Sequence, residues 1–234
     1  MDFEVLPGPS LPELARTALA RAAAATVSHA SPPSSLPAAI QVPVRASRDG
    51  SPVLLAHAGS VLDRRLAAFP EAVTVSVPAG VPYSALRLAG GARPAARDRT
   101  AGITAHALAV RSVEFAGAIP ARIPLAQYRA AAPDPLWREA PGVLTHLQHR
   151  HMTELIDCVR AHGMPQADWV IPRGLDRYGL QLLVLAPSGV AMARLSFPDG
   201  PVTSLRDVPA SIRTALTCRC QSATGHHNGH APSA

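Results

Sequence analysis

The stretch HLQHRHMTEL, residues 146–155, brings His146, His149 and His151 close together at the start of a helix-like pattern. Imidazoles so spaced could hold a metal ion, ligate heme iron or move a proton near neutral pH. The helical period separates them. At about 100° per residue, Leu144, Leu147, His151, Leu155 and Cys158 fall along one apolar face. His146, His149, Thr153, Asp157 and Arg160 fall on the opposite side, so His146 and His149 are expected in solvent beside Arg150. The segment contains neither HExxH nor HxxxH, which excludes a zinc site built on this helix alone. His151 is left in the apolar stripe. It is either a core histidine bonded to backbone or to a carboxylate, the plainer expectation, or a side chain facing a cofactor or a partner domain.

A second group of donors lies in the tail, CRCQSATGHHNGHAPSA. Cys218 and Cys220 are followed by His226, His227 and His230, a mixture that would suit heme iron, zinc or copper. CxC is not the CxxC pair of a structural zinc site and no second pair exists, so a tail that binds metal ions incidentally is the plain alternative. Three cysteines do not make a disulfide framework, and Cys158 reads as a small buried apolar residue.

Other chemistry is excluded by composition. All 22 basic residues are arginine, and the 234-residue chain contains no lysine. A Schiff-base lysine and a P-loop lysine are therefore impossible. The net charge is +6, but the arginines are dispersed, with Arg64–Arg65 the only adjacent pair, and no nucleic-acid partner is expected. Hydrophobic residues make up 47% and charged residues 16%, the balance of a globular protein. No apolar run approaches the roughly 18 residues of a membrane span, and the first 25 residues do not read as a signal peptide. A cytoplasmic protein without a membrane partner is expected.

The elements that must position these residues follow from pattern. Residues 11–27 read as an alanine-rich helix with Pro12 in its first turn, and residues 28–37 as a linker. Short β-type runs follow: AAIQVPVRA, SPVLLAHA and AVTVSVPA, with SVLDRRLAAF as an amphipathic helix between the last two. YSALRLAGGARP and ITAHALAVRSVEFAGAIPARIPL continue the β pattern, and PLAQYRAAAPDPLWREAPG is a short helix and a proline-broken connection. From residue 142 the pattern changes: a helix over residues 143–162, stopped by Gly163, then the strand candidates ADWVIPR, GLQLLVLA and GVAMARLSF, joined tightly as an antiparallel meander. In GLDRYG, Asp176 is placed for an Asx-turn, Gly179 for a positive φ, and Tyr178 to meet a partner. A final helix is expected over residues 205–216.

Three stretches of this second half resemble a known domain. HLQHRH is similar to an H-M-N-x-D-H helix start, matching at His146 and His151, with Gln148 for asparagine and Arg150 for the acidic residue. GLDRYGLQLLV resembles the domain's G-x-D-x-x-G strand–turn–strand, and QYRAAAPDPL its Y-x-x-A-x-P-D-P-L joint. That domain accompanies the flavin-binding-type split barrel, related to pyridoxamine phosphate oxidases, in heme-utilisation proteins. The likeness is good over residues 119–217, and LDRRLAAFPEAVTVSV resembles the barrel's helix-to-strand segment.

The resemblance implies an α+β protein: a helix and linker over residues 1–37, a split β-barrel over 38–135, a helix–three-stranded antiparallel sheet–helix domain over 136–217 and a tail over 218–234. It implies a homodimer with heme between the chains, one axial histidine from the tail, and heme binding with or without oxidative degradation. It also allows a non-enzymatic module that binds a ligand or a protein, or an FMN-dependent oxidoreductase. His57, Ser60, Arg64 and Arg65 are the groups available to grip a flavin phosphate, although Arg64 and Arg65 also suit a solvated helix face. The asparagine that usually follows a threonine there is missing. The interval between Arg87 and Ile103 is short for this fold, so part of the barrel wall is expected to be lost.

Overall fold

The computed structural model describes residues 8–29, 39–80, 83–98, 102–210 and 212, with residues 96–98 as backbone. The chain divides into two compact units, Ser10–Asp134 and one beginning at Pro135.

The first unit opens with α1 (Leu11–Arg21), started by a capping box in which Ser10 and Glu13 satisfy each other's backbone donors. The expected helix to residue 27 stops at Arg21. Residues 24–29 instead form β1 (Ala24–His29), in which Ala25 and Val27 are buried and alternate with Thr26 and Ser28. The strands β2 (Ala39–Ala46), β3 (Pro52–His57) and β4 (Val73–Pro78) and the helix α2 (Val61–Ala68) fall where alternation and helical spacing put them. β5 (Ala85–Asp98) and β6 (Ile103–Ala116) are 14 residues each. They form a long hairpin, so the expected shortening of the wall does not occur.

The pairing order is β3-β2-β1-β4-β5-β6-β7, with β7 (Ala121–Ile123) on the end of β6, and β3 pairs again with β6. That last contact closes six antiparallel strands into a barrel. The hairpin bends at two register shifts, one between Ala89 and Gly90. A Cβ at Gly90 would stand 2.1 Å from the Ala109 carbonyl oxygen, so the bend needs glycine there. Leu54, Val73, Val75, Leu86 and Leu88 fill the interior, and α3 (Leu125–Ala130) adds the buried Tyr128.

In the second unit the expected continuous helix is two: α4 (Ala140–Arg150) and α5 (Met152–Ala161), meeting at His151 with φ −131° and ψ 26°. Helical bonds run through the joint, from the His151 amide to Leu147 and from the Leu155 amide to His151. The chain therefore bends at His151 without ending the helical run. β8 (Trp169–Asp176), β9 (Gly179–Ala186) and β10 (Gly189–Ser196) form the expected antiparallel meander. Asp176 closes the Asx-turn by accepting the Tyr178 amide at 2.9 Å. A Cβ on Gly179 would lie 2.2 Å from the Leu195 carbonyl oxygen, so close approach of β10 explains that glycine. Leu155, Cys158, Val170 and Leu182 form the core, with Cys158 fully buried as expected. Of the expected last helix, residues 208–210 and 212 are helical. The protein is thus an α+β chain with a closed antiparallel barrel, a second three-stranded sheet and helices. Among the described residues no helix is long and apolar enough to cross a membrane.

Candidate functional site

The bend at His151 changes what the histidines can do. A straight helix would hold His146 and His151 on different faces. Here their rings lie 5.1 Å apart between centroids and are tilted by 57°. His149 stays outside the pair and bonds back to the Thr145 carbonyl at 2.8 Å. The expectation that the histidines do not converge is corrected for His146 and His151 and stands for His149.

The paired rings border a cleft of about 950 Å³ between α4, α5 and the helical turn at residue 208. Val143, Leu147, Leu205, Val208 and Ile212 form apolar walls, and Arg138, Glu139, Glu154 and Asp157 stand around them. His151 is not a core histidine: its side chain is 41% exposed, because the bend turns it from the apolar stripe into the cleft. Its Nδ1 stands 3.6 Å from Glu154. That separation is longer than a hydrogen bond, so Glu154 is a neighbouring charge at the cleft and not a hydrogen-bond partner of the ring. Arg138, at the rim, has its guanidinium 5.0 Å from the centre of the Trp137 ring. A large apolar cavity with a few convergent polar groups is the usual form of a small-molecule site.

The barrel's own candidates are arranged differently. His57 is exposed at the end of β3, and its carbonyl accepts the Ser60 amide. Ser60 caps α2 by accepting the Asp63 amide at 3.2 Å. Arg64 turns back to donate to the Gly59 carbonyl at 2.8 Å. Arg65 is buried, 3% exposed, which corrects its reading as part of a solvated face. Its charge, after burial itself, lowers the pKa of His29 at the end of β1. Arg64 and Arg65 thus do not share one solvent-facing surface. Cys218, Cys220, His226, His227 and His230 lie outside the described residues.

Two features escaped the sequence. The first is the ring contact of His146 with His151: His146 is exposed as expected, yet the helical period does not bring it to the ring with which the H-M-N-x-D-H likeness pairs it. The second is a contact across 43 positions, His106 Nε2 to Asp63 Oδ1 at 2.8 Å, with the His106 side chain 2% exposed. Nothing local in either segment signals that pair. Among the described residues no group of three or more histidine, cysteine or acidic side chains could hold a metal ion.

No protein-family model matches the chain, and no curated protein sequence matches it. Among solved structures, a heme binding protein from Mycobacterium smegmatis is similar at a TM-score of 0.68 and 25% sequence identity. The match covers 92% of this chain and all of that one. A protein of unknown function from Agrobacterium tumefaciens matches over 92% of this chain and all of its own, at 18% identity and a TM-score of 0.41.

Proposed function

We propose that this chain binds heme, and that the cleft beside α4 and α5 receives it. The observation that carries this reading is the convergence of His146 and His151 on an apolar cavity. A heme presents a flat apolar macrocycle, an iron that takes imidazole and two carboxylates at one edge. Val143, Leu147 and Val208 would face the macrocycle, and Arg138 suits a carboxylate through its paired N–H donors. His151, half-exposed at the cleft and in ring contact with His146, is the side chain that would hold the iron. The M. smegmatis neighbour is itself a heme binding protein, which favours heme over FMN for the occupant. When bound, heme would supply redox and oxygen chemistry; the protein's part is to bind and orient it and to exclude water.

The test is an absorption titration of the purified chain with hemin. Saturable binding with a shifted Soret band is expected, weakened at least tenfold in His151→Ala and less in His146→Ala. A chain lacking residues 218–234 should bind as the full chain does. If that truncation abolishes the band while His151→Ala retains it, the ligand belongs to the tail and the cleft assignment is wrong. Ascorbate added under air separates binding from degradation, since a Soret band that bleaches marks turnover and a stable one marks a carrier or sensor. A protein that ignores hemin and takes up FMN would overturn the reading.

A further inference from the structure

We propose that the barrel interior binds one water molecule between His106 and Thr104, tied through His106 to Asp63 on α2. β6 buries alternate residues, so Thr104, His106, Leu108 and Val110 share its inner face. Leu108 and Val110 suit that interior, and the first two do not. His106 is 2% exposed and Thr104 8%. His106 satisfies one ring nitrogen, with Nε2 at 2.8 Å from Asp63 Oδ1. Its Nδ1 and the Thr104 Oγ1 are both buried, and no protein group stands within hydrogen-bond reach of either.

A buried polar atom nearly always has a partner, from the protein or from ordered water. The neighbouring strands offer none here. On β3, Thr104 pairs with Ala56 and His106 with Leu54, and neither side chain carries a polar atom. Ala56 is small, which leaves space beside the hydroxyl. On β5, His106 pairs with Pro94, which has no amide hydrogen, and the ladder slips there, between Pro94 and Ala96. Successive residues on one strand face lie about 7 Å apart. A water bonded to two partners spans about 5.5 Å, so a small lean of the two side chains brings both atoms to one molecule.

The chemistry selects water. The hydrogen bond to the carboxylate sets a proton on Nε2, and Nδ1 is then the acceptor of the neutral ring, while the Thr104 hydroxyl both donates and accepts. Water can donate to Nδ1 and exchange a bond with the hydroxyl. Among the described residues no third metal-binding side chain joins Asp63 and His106. The anchor of α2 thus continues past His106. Asp63, His106, the water and Thr104 form one hydrogen-bonded chain from the first turn of α2 into the barrel, each bond supporting the next.

Solution NMR on the isotopically labelled full chain tests this, with Thr104→Val and Thr104→Ser. In the parent chain the carbon-bound ring protons of His106 should show cross-peaks to water with the sign of water held in the interior. These should persist in Thr104→Ser, which keeps the hydroxyl, and vanish in Thr104→Val. Cross-peaks relayed by exchange of the ring N–H would survive in both variants. Urea unfolding adds an independent sign. If the hydroxyl had no partner, valine would remove an unsatisfied polar atom and raise the unfolding midpoint. If the hydroxyl holds the water, valine strands Nδ1 and the midpoint falls, as we expect. Absent cross-peaks in the parent chain, cross-peaks lost in Thr104→Ser or kept in Thr104→Val, or a raised midpoint in the valine variant would overturn the proposal.

Discussion

Tyr128 shows how a single residue can organise the barrel unit. Its hydroxyl donates to the Gly50 carbonyl at 2.7 Å, 78 positions away, and it is almost fully buried. The Arg16 guanidinium lies 5.4 Å from the centre of its ring and donates to the Arg48 carbonyl at 2.7 Å. Gly50, at φ +84°, completes the packing, since a Cβ there would stand 2.2 Å from Arg16 Nη1. Burial pushes the Tyr128 pKa up to about 12 from 10.0, against the opposing pull of Arg16. The sign follows directly. A pKa higher in the folded state means that the unfolded chain loses its proton first. This contribution to stability is therefore complete below pH 10 and is lost as pH rises toward about 12. A chain without lysine makes the effect readable, because no ammonium group titrates in that window and only three tyrosines are present. Urea unfolding between pH 9 and 11.5 should show falling stability that flattens in Tyr128→Phe. At neutral pH that variant should be less stable by about 1–2 kcal/mol, the usual cost of leaving a buried carbonyl unpaired. An unaltered alkaline slope would remove Tyr128 as its source.

Among the elements, α2 depends most on one side chain. Asp63 accepts the Gly59 amide at 2.7 Å, meets His106 at 2.8 Å and has its own amide bonded to Ser60. It therefore anchors the first turn of α2 to β6. Asp63→Ala should lower stability by about 3 kcal/mol, combining a lost cap with a buried imidazole left without its acceptor. Asp63→Asn keeps an acceptor oxygen and should lose clearly less; equal losses in urea unfolding would mean that the carboxylate's acceptors are not what holds the helix. How far the elements could be read ahead depended on whether their signals were local. β2, β3, β4 and the meander of β8, β9 and β10 announce themselves by alternation and by the glycine, proline and serine around them. β1 hides behind the alanine run of α1, because no glycine or proline separates the two. The bend at His151 carries no proline or glycine either, so the helical period shows neither the approach of His151 to the exposed His146 nor which of the two readings of His151 holds. The Asp63–His106 pair joins a helix to a strand far along the chain, and only closure of the barrel brings them together.

On the scale of the whole molecule the two units have separate cores. Leu54, Leu88 and Phe115 belong to the first, and Leu155, Leu182 and Phe197 to the second. Packing losses should therefore act where they are made. Leu88 and Leu182 are both fully buried, so replacing either by alanine should cost about 2–5 kcal/mol through lost transfer energy and the cavity left behind. Native-state hydrogen exchange locates the effect. In Leu88→Ala, protection should fall along β4, β5 and β6 and persist in β8, β9 and α5. In Leu182→Ala the pattern should reverse. Hemin binding adds a functional reading of the same pair, because the proposed cleft is built only from the second unit. Leu182→Ala should weaken hemin binding and Leu88→Ala should spare it. If both substitutions lowered protection evenly over both units, the chain would unfold as one cooperative body. If Leu88→Ala alone abolished hemin binding, the heme pocket would have to be sought in the barrel instead of beside His151.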